Sequence, residues 1–189
     1  MRGCFIKILD AQAKSNNDGS SAQSLLLRFV PFFMPVIFLE TIIAAPIAIC
    51  FDVARDIDVH QLSTAQTREK AIAGRTSGLC ETGDTITWQA THFGVRQKLT
   101  TLIPVMQPPF YFEDVMLKGA FKHMKHLHHF AAQPDGSTRM SDELIFAAPL
   151  GFIGRLAEKL FLTAYMARFI DQRNQVIKSI AESRALKPV

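Results

Sequence analysis

The chain has 189 residues, 48% of them hydrophobic and 20% charged, with a formal net charge of +4. That length allows one domain with a core of useful size, and that apolar content excludes a disordered chain. The charge is modest and nowhere gathers into a basic stripe interleaved with aromatics, so no nucleic-acid partner is expected.

Residues 1–33 carry Arg2, Lys7, Lys14 and Arg28 against Asp10 and Asp18, a net of +2. Within them "AKSNNDGSSAQS" is polar and reads as disordered. The following "LLLRFVPFFMPVIFLETIIAAPIAICF" is the one stretch a hydropathy window would flag. Arg28, Glu40, Pro31, Pro35 and Pro46 interrupt it, and no uncharged run reaches the roughly 18 residues a membrane span needs. A signal peptide fits poorly, because the apolar region starts only at Leu25 and no small-x-small cleavage site closes it. "VIFLETII" instead reads as a strand and "APIAICFDVARDID" as a helix begun by Pro46. The domain is therefore expected over 34–184, with residues 1–33 an N-terminal extension, disordered or a mis-assigned start.

"DIDVHQLS" reads as a second short helix, with Asp56 as its N-cap. "EKAIAG" fits a strand, and "RTSGLCETGD" is turn-rich. Period two then takes over. "DTITWQATHF" puts Ile86, Trp88, Ala90 and His92 on one face, and Gly94 supplies the corner to "VRQKLTTLIPV". "FYFEDVML" is the next strand, with Gly119 as a bulge or kink. "AFKHMKHLHHFAA", the turn "PDG" and "STRMSDELIFA" follow. From Pro149 onward apolar residues recur at helical spacing, at Phe152, Leu156, Leu160, Thr163, Ala167, Ile170, Val176, Ile177 and Ile180. This predicts one amphipathic helix of about thirty residues, whose apolar stripe must lie on a sheet. The order of elements is an α+β layout.

The three cysteines Cys4, Cys50 and Cys80 form no CxxC pair, and their spacing suits neither a disulfide framework nor a zinc knuckle. They read as buried thiols of a reducing, cytoplasmic compartment. No GxSxG and no Gly-rich phosphate loop occurs.

Several motifs resemble the START-like, or SRPBCC, superfamily, above all its polyketide cyclase/dehydrase-like and coenzyme Q-binding-like branches. They are "LETIIAAPIAICFDVARDID", "GDTITWQATHFGVRQKLTT", "FEDVMLKGAFKHMKHLHHF" and "GSTRMSDELIFAAPLGFIGRLAEKLF". The resemblance covers residues 34 to about 182. It implies a helix-grip fold: a curved antiparallel sheet of about seven strands around a long C-terminal helix, with two short helices after the first strand. It also implies a cavity for an apolar ligand between sheet and helix.

The segment "FKHMKHLHHF" holds four of the six histidines. Strand alternation puts Met124, His126, His128 and Phe130 on one face, and His123, Lys125, Leu127 and His129 on the other. The first face would point into the implied cavity. Two histidines at i and i+2 can share a metal, with Asp114, Asp142 or His92 as a third ligand, but no HxxxH or CxxC supports this, so no metal and no cofactor are expected. His126 and His128 are expected as polar cavity or rim groups paired with Asp114 or Asp142, since an acid within an apolar row needs a partner. The expected wall comprises Trp88, His92, Phe112, Met116, Met124, Phe146, Leu156 and Leu160. The function so implied is binding of a lipid, isoprenoid, quinone or polyketide. The alternatives are a cyclase, dehydratase or hydrolase in which His126, His128, Asp114 or Asp142 moves a proton, and an interaction module. The expected partner is an apolar small molecule, without a stable transmembrane span, and a protein partner or a homodimer stays open.

Overall fold

Alternating apolar and polar residues over most of the second half of the domain force a sheet with one wet and one dry face. The computed structural model describes residues 6–8 and 34–186. The strands are β1 (Ile6–Ile8), β2 (Val36–Ile43), β3 (Lys70–Gly74), β4 (Thr85–His92), β5 (Val95–Gln107), β6 (Tyr111–Lys118), β7 (His123–Ala132) and β8 (Thr138–Ala147). They form one antiparallel sheet in the order β1-β2-β8-β7-β6-β5-β4-β3. The seven expected strands are β2 to β8. The eighth, β1, pairs with β2 through Ile6↔Leu39 and Ile8↔Ile37 and covers what would otherwise be an open edge. The stretch 13–24, expected to be disordered, lies outside the described residues.

Register shifts between Thr100 and Thr101 and between Leu102 and Val105 bend β5 against β6, and another bends β3 against β4 between Ala71 and Ala73. These bulges curve the sheet. Gly119, expected as a bulge or kink, lies in the β6–β7 connection, where a Cβ would stand 2.6 Å from Leu99 Cδ1.

The helices α1 (Ile47–Ala54) and α2 (Ile57–Ser63) follow β2. Asp56 caps α2 by accepting from the backbone N–H of Asp58 and Val59. The expected long C-terminal helix runs over 151–185, with one interruption of its period. It comprises α3 (Gly151–Ala157), a π-helical turn (Glu158–Leu162) and α4 (Thr163–Ala185). A π turn holds an extra residue, which rotates everything before it by about 100° relative to α4. The expected stripe is correct for Ala167, Ile170 and Ile177, which are buried, and wrong for Phe152, Leu156 and Leu160, which face solvent at 72%, 48% and 69% exposure.

Three apolar clusters fill the space between sheet and helices. Phe51, Phe112, Phe130, Met140 and Ile177 pack where α1 and the second half of α4 cross the sheet. Ile37, Leu39, Leu144, Phe146, Met166 and Ile170 pack under the first half of α4. Ile57, Ile86, Trp88 and Ile103 pack beneath α2. Between the second and third clusters a cavity remains.

Candidate functional site

The cavity has a volume of about 250 Å³. Its wall is built by the inward faces of β4 to β7, by α2 and by α4, and includes Ile86, Trp88, Leu99, Phe112, Met124 and Ile170. The exposed residues among its lining, Phe93, Lys98, Ala120 and Pro149, mark its mouth at the β4–β5 and β6–β7 turns and the end of β8.

A polar cluster closes one side. Alternation on β7 brings His126 and His128 inward, at 6% and 1% exposure. β8 runs alongside, and its Asp142 is paired in register with His128. Asp142 Oδ1 accepts from His126 Nε2 at 2.9 Å, and His128 Nδ1 lies 2.9 Å from the same oxygen without hydrogen-bond alignment. Asn174 Nδ2 donates to Asp142 Oδ2 at 2.6 Å, and Arg173 Nη1 lies 3.6 Å from Oδ1. On β6, Asp114 Oδ2 lies 3.4 Å from His128 Nε2. Strand β7 and the last helix thus converge on one carboxylate of β8.

Burial alone would push both carboxyls up. For Asp142 the contacts with His126 and His128 outweigh it and hold the group well below the usual carboxylate range. For Asp114 the His128 bond and the charges of His126, His128 and Arg173 outweigh burial and lower the group. Burial, reinforced by the neighbouring His128, pushes His126 down to about 4, so it is neutral at pH 7.

Asp114, His126 and His128 can each present a ligand atom, all within 4.8 Å of one another, a two-histidine, one-carboxylate set. This is the donor set through which the cluster could hold a metal. Within it the Nε2 of His126 is already turned to Asp142.

A second polar group lines the same cavity. His60 of α2 stacks on Trp88 with ring centroids 4.1 Å apart and lies 3.4 Å from Glu69. Glu69 is buried, yet His60 keeps its carboxyl below the ordinary range. His92 Nδ1 and the Tyr165 hydroxyl are 2.7 Å apart, and burial pushes His92 down and Tyr165 up. Cys80 also reaches the wall, but burial, with Asp114 nearby, pushes its thiol up to about 12, which makes it a poor nucleophile.

Of the residues expected at the cavity, Trp88, His92, Phe112, Asp114, Met124 and His126 line it. His128 and Asp142 lie directly behind His126 and are fully buried. Phe146 instead packs in the buried cluster under α4, Met116 lies partly buried against that cluster, and neither lines the cavity. Leu156 and Leu160 are corrected outright: the π turn rotates both into solvent. Sequence reading missed His60, Glu69, Tyr165, Arg173 and Asn174. A signal for the last two was present, since both fall between Ile170 and Ile177 on the helix's apolar stripe, where a polar residue needs a buried partner.

No protein-family model and no curated protein matches the chain. Solved structures do. TTHA0849 from Thermus thermophilus superposes with a TM-score of 0.66 at 15% identity, covering 80% of this chain and 99% of that one. The Zhui aromatase/cyclase from a Streptomyces species gives 0.66 at 14%, covering 80% and 95%. A START superfamily protein from Mycobacterium smegmatis gives 0.61 at 11%, covering 79% and 98%. Over most of its length the chain shares the helix-grip fold of these structures. Among the described residues no helix is long and apolar enough to cross a membrane.

Proposed function

We propose that the protein binds one compact apolar or amphipathic small molecule inside the cavity, with the ligand's polar group directed at Asp114, His126 and Arg173. The observation that carries this reading is an unfilled apolar space of about 250 Å³ with a buried, charged cluster on one side. Close-packed interiors leave few voids of that size unless they are used. The volume lies just below the ~300–1,000 Å³ of typical ligand sites. It favours a fused-ring polyketide or a quinone head group over a long acyl or isoprenoid chain, which would project through the mouth. The similarity to an aromatase/cyclase supports the same choice at the level of fold. The reading includes a cytoplasmic location, supported by the buried free thiols of Cys50 and Cys80.

The test is displacement of an environment-sensitive apolar dye, together with native mass spectrometry of gently purified protein. The expected result is saturable binding near one equivalent, competed by small polycyclic phenols or quinones more strongly than by long-chain fatty acids. Absence of saturable dye binding would overturn it.

One observation favours catalysis as a second reading. His126 lines the cavity and is backed by the buried Asp142 at 2.9 Å, the arrangement that orients an imidazole for proton transfer. A His126→Gln variant separates the two readings: it keeps dye binding in both, and removes turnover of a bound poly-carbonyl compound only if proton transfer is the function.

A further inference from the structure

Large apolar side chains are normally scattered singly over a protein surface, and a contiguous group of them marks a contact site. At the cavity mouth they are gathered. Leu150, Phe152 and Ile153 at the start of α3 are 76%, 72% and 68% exposed, and Leu160 and Phe161 in the π turn are 69% and 49% exposed. Phe93, at the tip of the β4–β5 hairpin, is 59% exposed and joins them, its ring 5.7 Å from that of Phe161.

The display is built, not incidental. The π turn rotates this face away from the sheet. Glu158 turns inward and accepts from the backbone N–H of Ala148, tying the turn to the end of β8. Gly154 lets α3 approach so closely that a Cβ there would meet the Pro149 carbonyl oxygen at 1.9 Å. Leu150 holds a positive φ of 71° to start the helix at this angle.

The charges around the face have one sign. Arg155 and Lys159 are exposed among the apolar residues, and Arg96 and Lys98 are exposed on the hairpin beside Phe93. Across residues 93–98 and 150–162 the only acid is Glu158, which is buried. We propose that this face is a peripheral docking surface for an anionic lipid bilayer, with Phe152, Ile153 and Leu160 entering the interface and Arg155, Lys159, Arg96 and Lys98 lying at the head groups. Apolar side chains flanked by lysine and arginine on a short helix are the chemistry of interfacial binding. A second copy of the chain fits less well, because a two-fold contact would set Arg155 and Lys159 against their own like charges. Docking this way presents the cavity mouth, at Phe93 and Pro149, to the membrane. The inference stands on the surface alone and does not depend on what the cavity holds.

The test is co-sedimentation of the full chain with phosphatidylglycerol/phosphatidylcholine vesicles and with pure phosphatidylcholine vesicles, at low and high salt. The expected result is binding to the anionic vesicles that weakens with salt, and that falls about tenfold or more in the Phe152→Ser, Ile153→Ser, Leu160→Ser variant. Dye binding in the cavity and thermal stability should stay unchanged in that variant, because the three side chains touch solvent. Equal binding by the variant would overturn the proposal, as would no binding by the wild type. So would a wild-type dimer that the variant converts to a monomer, which would assign the face to a second copy.

Discussion

Asp142 organises the interior at the scale of single residues. It accepts from His126 and Asn174 and neutralises Arg173, all with almost no solvent contact. Removing one partner of a buried charged network leaves the others unpaired and costs about 3–5 kcal/mol. Asp142→Ala is therefore expected to lower the urea midpoint by that much stability, far more than His129→Ala on the wet face of the same strand. The imidazoles add a pH dependence. His126 is pushed down to about 4 by burial and His128, from an ordinary value of 6.5, and His92 is pushed down by burial too. As pH falls through 6.5 the unfolded chain takes up these protons before the folded one does, so stability is full above 6.5 and declines toward 4. The depressed carboxyls of Asp114 and Asp142 extend the loss below 4 in the same direction. Urea titrations at pH 7.5, 6, 5 and 4 should show a decline on the order of a few kcal/mol, and His126→Gln should flatten much of it. That the inward histidines and the acids Asp114 and Asp142 were candidate partners could be read in advance, because an acid on an apolar face needs a partner. Which histidine met which acid could not, because that depends on the register between β7 and β8.

At the scale of elements, the informative piece is the helix that breaks its own period. Spacing from Phe152 to Ile180 fits a helical stripe, and hydropathy carries no record of one extra residue in a turn. The π turn is held by tertiary contacts, the inward turn of Glu158 to Ala148 and the close approach at Gly154. Gly154→Ala would drive a methyl group into the Pro149 carbonyl and should cost about 1–3 kcal/mol. Its effect is expected to be local, so hydrogen exchange should accelerate across 149–158 while β7 and β8 keep their protection.

At the scale of the whole molecule, the curved sheet and the last helix do not close on one another completely, and the remainder is the cavity in which the proposed ligand would sit. Ala90 on β4 is buried and faces the cavity. Ala90→Phe should occupy the void, abolish dye binding and leave the thermal midpoint within a few degrees of wild type, because the ring enters free space instead of a packed core. Unfolding of Ala90→Phe would mean that the space is too small for a ring of ligand size. Met116, a wall residue by sequence reading, packs under α4, so enlarging it would strain the core and leave the cavity open.

Local patterns by themselves determined strands β2 to β8, the short helices with the Asp56 cap, the inward face of β7 and the α+β order, since alternation, capping and turn chemistry are properties of neighbouring residues. The motifs carried the helix-grip fold. Only the tertiary structure decided the remainder. Arg173, Asn174, His60, Glu69 and Tyr165 joined the site because distant elements folded onto one space. Leu156 and Leu160 left it because the π turn, with Glu158 turned inward to Ala148 and Gly154 close to Pro149, rotated their part of the helix. A cavity is a difference between the volume that elements enclose and the volume that side chains fill, and no periodicity along the chain encodes that difference.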